Sequence, residues 1–186
     1  MRTRRNALAL ALAVIAVVSV AGCVQSPTHV IPTSEPSSKP VFASNAAALA
    51  AAKKAYVGYL AASDEVAHDG GQGIDRLKPW VSASQFAQDQ KSLQTMRAEG
   101  HHTTGVSSFS NVSLESSDVV NGNAAVVAYI CLLIGDTELL DSSGANIGVN
   151  RPVSLPLEVS FVSKVHGGRD LIIDRSVGWS GTNFCS

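Results

Sequence analysis

The hydrophobic period of this chain changes once, near His102, and that change constrains the fold more than any other feature. Before it, apolar residues recur at three-and-four spacing; after it, every second residue is apolar. Helices followed by a sheet make an α+β domain, in which the helices pack on one face of antiparallel strands. Leu49, Ala52, Tyr56, Tyr59, Leu60, Ser63 and Val66 fall near one face of a helix predicted over residues 46–67, capped by Asn45 or Ser44. The run His68-Asp69-Gly70-Gly71-Gln72-Gly73 stops it, and a short turn through Ile74, Leu77 and Trp80 follows. Ser82-Ala83-Ser84-Gln85 has the form of a capping box, opening a second helix that ends at Gly100 and buries Phe86, Leu93 and Met96.

Strands are predicted over residues 106–114, 124–134, 153–162 and 171–177, with turns at Asn121-Gly122, Ser143-Gly144 and Gly167-Gly168. The stretch 135–150 has room for a further short strand pair. In the 153–162 run Val153, Leu155, Leu157, Val159 and Phe161 are apolar while Ser154, Pro156, Glu158 and Ser160 are not, so that strand has one wet face. The 124–134 run differs. Val126, Ile130 and Leu132 point one way while Val127, Tyr129 and Leu133 point the other, so both faces of the sheet are dry there and both need cover.

Ahead of the domain, Met1-Arg2-Thr3-Arg4-Arg5 is basic and residues 7–20 are apolar except for Ser19, the layout of an export signal. Such a run falls short of the roughly 20 apolar residues of a membrane-spanning helix. It ends in Val20-Ala21-Gly22-Cys23, which resembles the lipobox of bacterial lipoprotein precursors. The resemblance implies that residues 1–22 are removed and that Cys23 becomes a lipidated N-terminus, the chain's link to the outer face of the cytoplasmic membrane. Two acyl chains on one cysteine suffice for durable anchoring without a transmembrane helix. Residues 23–45, with Pro27, Pro32, Pro36 and Pro40 among serines and threonines, have the composition of a tether. Removing Arg2, Arg4 and Arg5 leaves 11 basic against 15 acidic side chains, a net charge near −4. That balance argues against a nucleic-acid partner, which needs a basic surface.

Cys131 and Cys185 then remain as the thiols of an exported domain, where a pair is more often bridged than free. Two separately buried thiols are the other outcome.

Two helices before a curved antiparallel sheet, with Cys131 in a central strand and Cys185 at the C-terminus, resemble the NTF2-like (SnoaL-like, cystatin-like cone) domains of short actinobacterial lipoproteins. Tyr56 and Tyr59 in the first helix, the turn Asp141-Ser142-Ser143-Gly144, Arg151 opening the next strand, the glycine pair Gly167-Gly168 and Trp179 before the last cysteine carry the resemblance, over residues 46–185. Leu133 departs from it, standing where members often have aspartate. Such cones leave a pocket between the long helix and the concave sheet face; relatives bind small apolar molecules, catalyse isomerisation or dehydration, or dimerise through the open face. Fold alone does not choose among these.

The chemistry-bearing residues are few. Adjacent His101-His102 point in different directions and have no ligand at metal spacing, so no metal or other cofactor is expected. His68-Asp69 has the letters of an acid/base dyad but stands in a glycine-rich loop. Gly70-Gly71-Gln72-Gly73 follows a helix instead of a strand and lacks a following Lys-Ser/Thr, unlike a phosphate loop; no Gly-x-Ser-x-Gly or His-Glu-x-x-His motif occurs. Arg175 shares parity with Leu171, Ile173 and Val177, so it points inward toward a carboxylate or anion unless a bulge or an ion pair with Asp64 or Glu65 resolves it. Tyr56, Tyr59 and Arg175 are the candidate pocket residues, the tyrosines serving equally well as core aromatics.

Two functional readings follow. One is a membrane-anchored, non-catalytic lipoprotein whose domain binds a small apolar ligand or a protein partner, a second copy of itself included, through the two-faced strand. The other is an isomerase- or dehydratase-type enzyme, in which a buried Asp or His takes a proton and a tyrosine steadies the oxyanion. The inward strand positions are Val, Leu, Ile and Phe, which favours binding. For the two-faced strand, the alternative to association is that residues 135–150, or the tail tied down by Cys185, fold over it. Cys23→Ala is expected to leave an uncleaved or released precursor, read by detergent partitioning of membrane fractions; an unchanged membrane-bound mature form would contradict the lipidated cysteine.

Overall fold

The computed structural model describes residues 39–185; the signal segment, Cys23 and the proline-rich stretch up to residue 38 lie outside them. Two helices and six strands make an α+β domain with antiparallel sheets. Among the described residues, no helix is long and apolar enough to cross a membrane.

Helix α1 (Asn45–His68) begins where Ser44 Oγ accepts the Ala47 N–H at 3.2 Å, satisfying one of the free donors of the first turn. It ends where Gly70 and Gly71 turn left-handed and the Gly71 N–H reaches back to Val66 O. A 3₁₀ turn (Ile74–Leu77) leads to α2 (Ala83–Ala98), whose start is half a capping box. Ser82 Oγ accepts the Gln85 N–H at 3.2 Å, but the Gln85 side chain does not return to Ser82, whose own N–H goes to Ile173 O. Gln85 is instead drawn inward, as described below.

The main sheet has the order β2–β3–β5–β6, from β2 (Ser108–Val120), β3 (Asn123–Leu133), β5 (Ser154–Ser163) and β6 (Leu171–Gly178). Asn121 and Gly122, both at positive φ, close the β2–β3 hairpin tightly. Two register shifts in β2, the first containing Asn111 at φ 47°, bend that strand and curve the sheet. The stretch 135–150 supplies the extra strand: β4 (Thr137–Leu140) pairs with β1 (His102–Gly105) in a separate two-stranded sheet. The free edge of β6 is met by the Trp80–Ser82 segment, which donates from Ser82 to Ile173 O and accepts at Trp80 O from Ile173.

The core lies between the concave sheet face and the helices. Ala48, Ala52, Ala55, Tyr56, Leu60 and Val66 of α1 meet Ala124, Val126, Ala128 and Ile130 of β3, Val159 and Phe161 of β5, and Leu171 and Ile173 of β6. Burial of each larger side chain contributes about 1.5–3 kcal/mol. The alanines let α1 come close to the strands, and Tyr56 meets Phe109 edge to face at 5.2 Å.

The outer face of β3 carries the chain's C-terminal tail. Cys131 is bridged to Cys185, with Cα atoms 5.3 Å apart. Tyr129 packs on Trp179 (4.8 Å between centroids) and Phe184 (5.8 Å), Trp179 N–H donates to Pro156 O, and the bulged Asn111 donates from Nδ2 to Phe184 O. The tail thus occupies the centre of the face on which a second copy or a partner was the other expectation.

Arg175 does not point inward. A register shift between Ser160 and Phe161 places Arg175 opposite Ser160 and Ile173 opposite Phe161, so one residue is added and the parity reverses. The side chain is 59% exposed and reaches Glu158, at 4.0 Å, not Asp64 or Glu65. An exposed pair at that distance contributes little.

Opening the Cys131–Cys185 loop removes about 4 kcal/mol in the chain-entropy model, and measured losses more often run at 2–4 kcal/mol. Cys185→Ser is expected to lower unfolding stability by that amount, measured in urea without reductant, and to make Tyr129 and Trp179 more solvent-accessible; a loss below 1 kcal/mol would mean that the tail is held by its other contacts alone.

Candidate functional site

A cavity of about 210 Å³ opens between the C-terminal half of α1 and the sheet. Tyr56, Tyr59, Leu60 and Ser63 reach it from the helix, Leu132 and Leu157 from β3 and β5, Ser176 from β6, and Arg151 from the loop before β5. The apolar walls follow from the three-and-four pattern of α1 and the inward parity of the strands. Tyr59, Asp64 and Arg151 are each held in place by a neighbour.

Tyr59 OH donates to Asp89 Oδ1 at 3.4 Å, and Gln85 Nε2 donates to the same oxygen at 2.8 Å. Gln85, only 4% exposed, accepts the Ser176 N–H through Oε1 at 3.0 Å. One buried amide therefore ties α2 to β6 and to the carboxyl that receives the tyrosine. Asp89 Oδ2 is buried without a partner among the described residues. Burial is the largest influence on this carboxyl and raises its pKa above 3.8, the hydrogen bonds from Gln85 and Tyr59 opposing it. Burial raises Tyr59 as well, with the Asp89 carboxylate adding to the rise, and burial raises Tyr56. Both phenols stay protonated, and Tyr59 acts as a donor.

Asp64 also lines the cavity, but both its oxygens are engaged: Oδ1 accepts Ser107 Oγ–H at 2.7 Å and Oδ2 accepts the Ser107 N–H at 2.9 Å. It pins the start of β2 to α1. Arg151 donates from Nη2 to Thr137 Oγ1 (2.5 Å), Ile134 O (3.3 Å) and Thr137 O, locking the β3–β4 turn. Among the described residues no carboxylate lies within 4.0 Å of it, so its charge reaches the cavity without an ion-pair partner.

Of the residues singled out from sequence, Tyr56 and Tyr59 line this cavity and Arg175 does not. Its place as the cationic group is taken by Arg151. The Asp141 turn after β4 is an Asx turn, with Oδ1 accepting from the Ser143 N–H, the Ser143 hydroxyl and the Ala145 N–H; the Ser143 hydroxyl chiefly holds this carboxyl below its ordinary range. Gln85 and Asp89 were missed. Their signal was four-residue spacing of polar groups on the face of α2 that also carries Leu93.

The histidines have structural partners. His68 Nε2 lies 2.7 Å from Gly105 O, His101 Nδ1 lies 3.0 Å from Glu99, and Asp69 is paired with Arg76 at 2.5 Å. His68, His101 and His102 share a shallow hollow with Arg97, and nothing aligns His68 and Asp69 as a dyad.

Helices laid on a curved antiparallel sheet, with an open cavity between them, define an α+β architecture. No protein-family model matches this chain, and no curated protein matches it. Among solved structures, the intermembrane space region of the chloroplast protein ARC6 is similar, with a TM-score of 0.50 at 12% identity over 72% of this chain and 97% of that one. The periplasmic domain of DotI gives a TM-score of 0.44 at 14% identity over 75% and 98%. The first likeness is one of fold.

Because the folded state raises the Asp89 pKa above its unfolded value, the group's contribution to stability is fully present below about pH 3.8 and is lost as pH rises through the folded-state value. Asp89→Asn keeps an acceptor for Gln85 and Tyr59 and has no such titration. The difference in urea midpoint is expected to move in favour of the variant between pH 4 and pH 7; a difference independent of pH would show that Asp89 does not titrate abnormally.

Proposed function

We propose that this chain is an exported lipoprotein, held to the outer face of the membrane through a lipid on Cys23, whose NTF2-like domain binds a small molecule without transforming it. The ligand has an apolar body and a hydrogen-bonding or anionic head. The observation that carries this reading is the cavity of about 210 Å³, in which Tyr56, Leu60, Leu132 and Leu157 make apolar walls and Arg151 brings a positive charge with no carboxylate beside it. A dry cavity of 150 Å³ accommodates a benzene ring, so this one has room for a ring and a polar substituent. Export is supported by the basic-then-apolar N-terminus and by the Cys131–Cys185 bridge, which persists in oxidising compartments.

One observation favours the enzymatic reading, the Tyr59–Asp89 hydrogen bond at the cavity wall. It is the weaker of the two. Asp89 stands behind Tyr59 and is not among the cavity-lining residues, so a proton reaching it from a ligand would have to pass through a phenol whose pKa is itself raised. Asp64, which does face the cavity, has both oxygens engaged by Ser107.

Ser63→Phe fills the cavity from α1. Benzoate and benzyl alcohol, followed by saturation-transfer NMR, are expected to bind the unaltered chain and to lose at least about tenfold in affinity in the variant, a change of 1.4 kcal/mol. Equal binding to both, with the variant folded by circular dichroism, would remove the cavity as the binding site.

A further inference from the structure

A second cleft, of about 200 Å³, lies along the N-terminal half of α1, between it, Trp80 and the start of β6. Its wall is apolar and aromatic. Gly58 has no side chain, and the Trp80 ring lies so close that a Cβ there would meet it at 2.2 Å; the ring is thereby held flat against α1. Pro79 and Leu171 continue this wall, and Lys54, Lys164 and Arg169 surround it, with Asp170 as the one carboxylate among the lining residues. Lys54 is 3.1 Å from Asp170, but both side chains are about three-quarters exposed, so the pair is easily broken. Lys164 Nζ stands 5.9 Å from the Trp80 ring centroid, a cation over an aromatic face. A chain whose mature form is net acidic thus gathers three of its 11 cations at one place.

The place coincides with the start of the domain. Arg169 Nε donates to Val41 O at 3.1 Å, and exposed Lys39 lies two residues earlier. Cys23 is 18 residues before Val41, a span of about 60 Å at full extension. A linker of that length keeps the domain at a local concentration on the order of millimolar next to whatever surface holds Cys23. Weak attraction is then enough to orient it.

We propose that this cleft is a membrane-docking surface for anionic phospholipid, with Lys54, Lys164 and Arg169 on the phosphodiester headgroups and Trp80 at the level of the interface. The proposal rests on the lipoprotein reading for its membrane, but not on lipidation for its contacts. Each basic side chain at an anionic surface raises partitioning about fivefold. Aromatic rings with a polar edge favour the same depth.

The test uses the mature chain with Cys23→Ser, which carries no lipid, sedimented with vesicles of phosphatidylcholine containing 30% phosphatidylglycerol or of phosphatidylcholine alone. Binding is expected only to the anionic vesicles, to fall at least about tenfold in Lys54→Glu/Lys164→Glu, and to change less than about twofold in Lys91→Glu/Arg97→Glu, which reverses the same charge on exposed α2 positions. An equal fall in both variants would show net charge alone at work and overturn the docking surface. So would the absence of binding to anionic vesicles. Displacement by a few millimolar inorganic phosphate at constant ionic strength would assign the cleft to a free anion instead, and overturn it too. Membrane fractionation of the lipidated chain is independent of all these outcomes, so the anchor can hold where the docking surface fails.

Discussion

The packing of α1 against the concave face of β3 is the contact on which the other features depend. Ala48, Ala52 and Ala55 are small, so the N-terminal half of the helix approaches the sheet closely. Tyr56, Tyr59 and Leu60 follow them on the same face and are large. These three line the cavity between the helix and Leu132 and Leu157 of the sheet. The same helix presents Gly58 to Trp80 on a neighbouring face, which shapes the second cleft. One helix thus contributes a wall to both concave sites.

Polar groups near that contact are spent on fixing elements before any is free for a ligand. Gln85 joins α2 to β6 and Asp89, Asp64 joins α1 to β2 through Ser107, and Arg151 closes the β3–β4 turn. Each leaves a buried or half-buried group paired, as burial demands. Asp89 Oδ2 is the exception, and the rise in its pKa follows from the same burial.

Much of the fold was legible in the sequence because its signals are local. Ser44, Ser82, Gly70 and Gly71 cap helices, and Asn121-Gly122 turns a hairpin, through contacts within a few residues. The two dry faces of β3 called for two covers, and Trp179, Phe184 and Cys185 supply the second across more than 45 residues of chain. Arg175 was legible only as an alternative: parity pointed it inward unless a bulge reset the register, and whether that bulge forms depends on β5–β6 pairing, which period two does not reveal. Arg151 was visible as the start of a strand but not as a cavity residue, since its position is set by Thr137 in another element. Gln85 looked like half of a capping box, and tertiary contact with Ser176 took its side chain elsewhere.

The central claim is that the cavity between α1 and the sheet is the ligand site. Methyl-labelled protein titrated with benzoate tests it residue by residue. The account predicts that the Leu60, Leu132 and Leu157 methyl resonances shift in parallel, while those of Val127 and Val177, on the outer face of the sheet, stay within line width. Shifts absent from the three leucines, or confined to residues around Trp80, would contradict it.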